Sequence, residues 1–385
     1  MKKLPLTRPV FDDRERKMLD KCLASGWVTQ GPLVAQFETN LSDMIGVPHA
    51  LATTSCTAAL HMSVLAADIG PGDEIVVPSF TWVTSAHCAE YAGATPVFCD
   101  VDPATFNLDP ASLRSVISPR TKAILVVHLF GQAAPMGEIM EIADTHNLLV
   151  IEDAACAIGT TWQGRHVGSF GFAGCFSFHP RKVITTGEGG LVTTSSQAVA
   201  DRIAILRNHG TGGSHISGPD ATPSPWHFSP VAHAGFNLRM SDINAAVGLA
   251  QLDKLEGLLA ERRGWAERYH ASLADNPDVI APMAAPDSGH TYQSYVVRIA
   301  EGGEERRNAV MQGLADAGIF TRPGTYAVHA TEFYREKYAI RPEDFPNSLR
   351  CQQETITLPI FPGMTDQDFD CITSNLEHGL GQRTL

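Results

Sequence analysis

Cysteine pairs, long apolar runs and positive charge are what this 385-residue sequence is short of, and each shortage excludes something. Its eight cysteines (Cys22, Cys56, Cys88, Cys99, Cys156, Cys175, Cys351, Cys371) form no C-x-x-C pair, which argues against a zinc ribbon and a disulfide framework. Buried reduced thiols are expected instead. No run reaches the roughly 18 apolar residues of a membrane helix, and Met1 to Thr7 lacks the apolar core of a signal peptide, so a cytoplasmic protein is expected. Lys and Arg number 29 against 42 Asp and Glu, a formal net charge of −13 that disfavours a general nucleic-acid binder. A local basic pocket for a diphosphate is still compatible with it. No internal repeat or low-complexity tract is evident. No G-x-G-x-x-G follows a strand-like run: Gly187-Glu188-Gly189-Gly190 precedes one, which disfavours a nicotinamide dehydrogenase.

What is present is an ordinary globular composition, 44% hydrophobic and 18% charged, in a chain long enough for two domains. Between about residues 50 and 200, short apolar runs alternate with helix-length segments. Candidate strands are Glu74 to Pro78, Pro96 to Cys99, Ala123 to Leu129, Leu148 to Ile151, Cys175 to Phe178 and Gly190 to Thr194; helices are expected at 57–67, 84–92, 110–117 and 137–146. Nearly continuous apolar strands of this kind predict an α/β fold with a mostly parallel central sheet flanked by helices. Residues 209–230, rich in Gly, Ser, Pro and His, read as a long loop. A single helix is expected over Ser241 to Leu259, leading into a smaller C-terminal α+β domain in which Ser294 to Ile299 is a strand. The division expected is 1–258 and 259–385.

Lys182 follows the strand-like Phe176-Ser177-Phe178 and precedes the Gly-rich turn Thr185 to Gly190, where a lysine can act as a Schiff-base nucleophile. Alone, it reads more often as a solvated loop residue. Upstream, the run Leu148 to Ile151 leads into Glu152-Asp153, and an aspartate at the C-terminal end of a buried strand is where open α/β sheets place ligands. Further upstream, Ser55-Cys56-Thr57-Ala58 reads as a helix start with backbone N–H groups for a phosphate. Lysine, aspartate and phosphate cradle together describe a site for pyridoxal 5'-phosphate.

Six segments in order carry a resemblance to one family: Ser25 to Pro32, Ser55 to His61, Glu152 to Ala155, Ser177 to Gly190, Gly235 to Met240 and Leu358 to Gly363. The chain resembles the StrS/DegT-type nucleotide-sugar aminotransferases of the aspartate-aminotransferase fold. The resemblance implies transfer of an amino group, from L-glutamate, to a nucleoside-diphosphate keto-sugar, in a homodimer with shared active sites. Lys182 would carry the cofactor and move the proton; retention of lysine, where the family's dehydratases have histidine, favours transamination. Asp153 would face the protonated ring nitrogen. Thr57, the backbone of Cys56 and Ala58, and Ser177 would hold the phosphate; Trp82 would stack on the ring. Asn237 resembles a residue that reaches the phosphate from the other subunit. Arg239 and His329 are candidates for the sugar-nucleotide side. Cys156 stands where relatives have glutamine, and Cys56 where glycine is common, which puts one polar ring contact in question. A dehydratase or oxidase on the same scaffold, and a non-catalytic regulatory protein, are the competing readings.

Overall fold

The structure, a computed structural model, describes residues 3–211, 230–231 and 233–381. Most of the loop expected at 209–230 lies outside the described residues. Seven strands build the main sheet: β1 His49–Thr53, β2 Glu74–Pro78, β3 Thr95–Cys99, β4 Thr121–Val127, β5 Leu149–Asp153, β6 Ala173–Ser177 and β7 Gly190–Thr194. Their order across the sheet is β1-β7-β6-β5-β4-β2-β3. The pairs from β6 to β3 are parallel, and β7 runs antiparallel to both β6 and β1. The sheet is thus mostly parallel, as its apolar runs predict. Two details differ from that reading. β1 was not anticipated, because His49-Ala50-Leu51-Ala52-Thr53 has little β-branched character. β4 ends at Val127, two residues before the expected Leu129, where the chain turns into a short 3₁₀ segment with Phe130 at φ 58°.

Alternation along the strands divides the interior. Ile75, Val77, Ala123, Leu125 and Ile151 face one side, where they pack with Ala59, Leu60 and Ile203. Val76, Ile124, Val126 and Val150 face the other, against Leu113, Met136, Ile139 and Ile142. The covering helices are α1 Asp13–Ser25, α2 Pro32–Ile45, α3 Cys56–Ala66, α4 Thr84–Tyr91, α5 Pro110–Val116, α6 Met136–His146 and α7 Gln197–Leu206. α3 has Ala58, Ala59, Leu60, Met62, Ser63 and Val64 all buried, so it lies inside the layer. Its position fixes the helix start that the phosphate cradle needs.

The helix expected over Ser241 to Leu259 is two: α8 Asp242–Leu252 and α9 Leu255–Leu273. Apolar periodicity continues through the break, which is why sequence pattern alone joins them. The break is stabilised from elsewhere, since Lys254 donates to Glu15 in α1 and to the Val10 carbonyl at 3.0 Å. α9 runs unbroken past residue 258 into a second core, where Tyr269 and Leu273 meet Val297, Ile356 and Leu376. A three-stranded antiparallel sheet, β8 Val279–Ile280, β9 Tyr295–Ile299 and β10 Thr355–Leu358, supports that core. A two-residue strand, Tyr326–Ala327, pairs back with Phe80–Thr81 of the main body. This pairing brings the 320s segment over the open end of the main sheet.

Candidate active site

The C-terminal ends of β5 and β6 and the first turn of α3 meet at a cavity of about 250 Å³. Cys56, Thr57, Trp82, Asp153, Cys156, Ser177 and Lys182, all expected from sequence, line it. Asp153 is the last residue of β5 and Ser177 the last of β6, the edge at which parallel sheets leave backbone ends and side chains free for ligands. Lys182 is carried on a turn pinned at both ends: Phe178 N–H donates to the Gly189 carbonyl at 2.9 Å, and Lys182 N–H to the His179 carbonyl at 2.8 Å. Gln293, from the second core, donates through Nε2 to the Arg181 carbonyl at 2.7 Å and closes the turn from above.

Asp153 is the floor of the cavity and is fully buried among neutral groups. Ser85 Oγ donates to its Oδ2 at 2.8 Å, the Ala155 amide to Oδ1 at 3.1 Å, and Cys56 Sγ lies 3.9 Å from Oδ1. Burial holds its carboxyl above the usual carboxylate range, only partly offset by the Ser85 hydroxyl, the Ala155 amide and the charge of Lys182. A buried carboxylate raised in this way lacks a cation in contact, which is what a protonated pyridine nitrogen would provide. The same burial, with Asp153 as neighbour, pushes the Cys56 thiol well up, so that it stays a neutral group. Lys182 Nζ is 3.1 Å from Cys156 Sγ, the residue three positions beyond Asp153.

The helix start is more constrained than the sequence suggests. Ser55 caps α3 by accepting the Ala58 amide at 3.1 Å, so the Ala58 N–H expected to face a phosphate is already spent. Cys56 and Thr57 are the first-turn residues that line the cavity. Cys56 has a negative φ, so cysteine is tolerated where glycine is common. Gly190 has no such freedom: an added Cβ would stand 2.3 Å from the Ser55 carbonyl carbon.

Besides Ala58, three expected residues lie outside the cavity walls. His329 is buried, with Nε2 3.1 Å from the Pro342 carbonyl and its ring 4.7 Å from that of Phe345, so within its own chain it packs as a core histidine. Arg239 donates to Asn208 Oδ1 at 2.7 Å and bridges Thr53, so its guanidinium is spent on the loop's own structure. Asn237 is exposed and bridges Asn208. In their place stand residues that sequence reasoning passed over. Ser85, on α4, reaches Asp153, and Thr81 Oγ1 lies 3.1 Å from Ser85 Oγ. Glu152 is fully buried and accepts from the amides of Gly168, Phe170 and Gly171 and from His128 Nε2 at 3.1 Å, with the His128 Nδ1 lone pair turned to the Ala134 amide. Burial alone would raise its pKa; His128 and those amides outweigh it and hold the carboxyl below its usual value. Arg322 lines the cavity with a buried Nε–H that has no acceptor among the described residues. An unpaired buried donor costs on the order of 1–3 kcal/mol. Pattern and periodicity carry no signal for most of these contacts, since Ser85 lies 68 positions from Asp153 and Glu152 lies 16 to 24 from the amides and histidine it binds.

A lysine at the mouth of a cavity whose floor is a buried, cation-deficient aspartate, set at the strand ends of a mostly parallel sheet, defines a carbonyl-handling α/β enzyme of the aminotransferase type. Comparison with known proteins gives the same class. The family model of the DegT/DnrJ/EryC1/StrS aminotransferase family matches residues 9–377, and the chain belongs to that family. It is 39% identical over 382 residues to the GDP-perosamine synthase of Caulobacter vibrioides, covering 98% of each chain. Helicobacter pylori PseC, an aminotransferase involved in the biosynthesis of pseudoaminic acid, superposes with a TM-score of 0.92 at 25% identity, over 99% of this chain and 100% of that one. A Streptococcus pneumoniae protein solved in its PLP form gives a TM-score of 0.91 at 27% identity, over 99% of both chains.

Proposed function

We propose that this aminotransferase moves an amino group from L-glutamate onto a nucleoside-diphosphate keto-sugar. The relative named GDP-perosamine synthase supports a guanosine diphosphate carrier, and the family supports pyridoxal 5'-phosphate as the cofactor. The observation that carries the reading is Asp153, a buried carboxylate with three neutral partners and an open side toward Lys182. When bound, pyridoxal phosphate supplies an electron sink and a temporary carrier for the amino group.

The chain's own residues do the rest. Asp153 would accept the ring N–H and keep that nitrogen protonated, its carboxylate oriented by the Ser85 hydroxyl and the Ala155 amide. The hydroxyls of Thr57 and Ser177, with the Cys56 and Thr57 amides, would hold the phosphate. Trp82 offers an apolar face, its ring propped edge-on against Tyr326 at 5.6 Å. Lys182 Nζ, in the wall of the cavity that would hold the cofactor, would be the base that moves the proton of the donor's α-carbon. Cys156 keeps a soft sulfur contact at Nζ. Asn237 lies on the surface of its own chain, in keeping with service to a partner's phosphate in a homodimer. The division of the chain at residues 258/259 remains our proposed domain assignment, with α9 as the connector.

Protein loaded with pyridoxal phosphate is expected to lose its visible absorbance on addition of L-glutamate while releasing one equivalent of 2-oxoglutarate. Subsequent addition of a GDP-linked keto-sugar restores the absorbance and yields an amino sugar by mass spectrometry. Release of a deoxygenated sugar with no nitrogen incorporated would select the dehydratase reading instead. The Lys182→Ala protein should do neither.

A further inference from the structure

The peptide bond between Arg181 and Lys182 is hydrogen-bonded at both of its polar ends. Its N–H, which belongs to Lys182, donates to the His179 carbonyl at 2.8 Å, and its C=O, which belongs to Arg181, accepts from Gln293 Nε2 at 2.7 Å. A peptide unit is planar, so holding both ends fixes the plane to which the Lys182 Cα is attached. The first bond is local to the turn. The second comes from 112 positions away, out of the second core. Gln293 is buried and is itself held: Ser294 Oγ donates to its Oε1 at 3.1 Å, and Arg262 of α9, fully buried, donates through Nη1 to its backbone carbonyl at 3.1 Å. The backbone around it rests on the main body, with the Thr291 amide donating to the Gly131 carbonyl at 3.0 Å and the Ser294 amide to the Phe130 carbonyl at 3.3 Å. Gly131 has φ 94°, and an added Cβ there would stand 2.3 Å from Thr291 Oγ1, so this seat requires glycine.

We propose that Gln293 is a positioning residue for Lys182, an assignment that rests on the reading of Lys182 as the base. The backbone contacts at Gly131 and Phe130 already fasten the second core to the first. The glutamine amide adds a bond aimed at the lysine's own peptide, and freezing so long a side chain costs rotamer entropy that packing alone would not require. Gln293 also lines the cavity, yet its Nε2 and Oε1 are each engaged with protein, so its effect falls first on the turn. Arg181 is exposed at the rim, so a carbonyl released by Gln293 can turn to solvent and take the plane with it. Nζ stands at the end of a four-carbon stem and moves with that plane. Misplacing a reacting group by about 1 Å can cost about 100-fold in rate. Through Arg262 and Gln293, the second core thus sets the geometry of a lysine carried by the first.

The test compares cofactor-loaded natural chain with Gln293→Leu, which keeps most of the volume but not the donor, and with Ser294→Ala, which frees the glutamine amide from a position outside the main cavity. Backbone hydrogen exchange of residues 178–190, read by mass spectrometry, reports the turn; kcat and KM for L-glutamate report its use. In Gln293→Leu, exchange of the Lys182 amide is expected to quicken about tenfold and kcat to fall about 10- to 100-fold, with KM held within about twofold. Ser294→Ala should move exchange and kcat in the same direction by less, and it decides the matter alone if Gln293→Leu lowers the melting temperature. Unchanged exchange and kcat would overturn the assignment. A raised KM with unchanged exchange would overturn it too, by making Gln293 a ligand contact. Failure of the broader reading shows elsewhere: the natural chain would release no 2-oxoglutarate from L-glutamate, while the exchange measurement would still report whether Gln293 holds the turn.

Discussion

Ser85 and Asp153 are 68 positions apart in sequence and 2.8 Å apart at the cavity floor. The hydroxyl is the largest influence opposing burial on the Asp153 carboxyl, so removing it should raise that pKa further and weaken the hold on a ring N–H. Ser85→Ala is expected to lower kcat/KM by about tenfold, the worth of one hydrogen bond to a charged group, and to shift the acid limb of its pH profile upward. Ser85→Thr, which keeps the hydroxyl, should recover most of the activity; a loss in both would make Ser85 a packing residue. Asp153→Ala goes further, with a loss of about 100-fold or more expected in the glutamate half-reaction, measured by single-turnover absorbance.

Elements are positioned by close approaches that no local pattern encodes. The start of β7 abuts the N-cap of α3 so tightly that Gly190→Ala places its Cβ 2.3 Å from the Ser55 carbonyl carbon. Something must shift, at a cost of about 1–3 kcal/mol, and the element that shifts carries Thr57. A lowered melting temperature together with weaker pyridoxal phosphate binding is the expected outcome, while a stability loss with unaltered cofactor affinity would locate the shift elsewhere. Glu152 plays the corresponding part beneath β5. It ties the loop 168–171 and His128 to the strand that ends in Asp153. Glu152→Ala strips one buried partner from three amides and a histidine, and should cost about 3–5 kcal/mol in urea unfolding. Glu152→Gln, which can still accept some of these bonds, should cost less.

For the molecule as a whole, stability is set in part by groups that fold only when neutral. His290 is buried against Tyr292, with ring centroids 3.8 Å apart, and burial depresses its pKa to about 3. Unfolded, it takes a proton near pH 6.5. The folded value lies below the unfolded one, so the unfolded chain binds the extra proton and stability falls as pH drops from about 6.5 toward 3. The contribution is on the order of a few kcal/mol at the acid end. His290→Gln, which cannot take that proton, should flatten this part of the stability curve measured by urea unfolding between pH 7 and 4. An unchanged curve would assign acid sensitivity to the carboxylates, among them Glu152, whose depressed pKa also makes stability fall with pH.

Features that depend on neighbours along the chain were legible in its residues alone. Apolar alternation and turn residues set the strands, the helices around them and the mostly parallel sheet; the strand ends then put Asp153, Ser177 and Lys182 at one edge. Four residues of short spacing, Ser55 to Ala58, announced the α3 start, though not that Ser55 would take the Ala58 amide for itself. Tertiary structure decided what depends on residues far apart in number. It broke the expected Ser241 to Leu259 helix at Asp253-Lys254, where α1 supplies the partners, and buried His329 in a core of aromatic rings. It also set Arg322, bridged to β10, in the wall of the cavity. Which side chains share a cavity is invisible in a string of residues, because that grouping is defined only by what surrounds each of them in space.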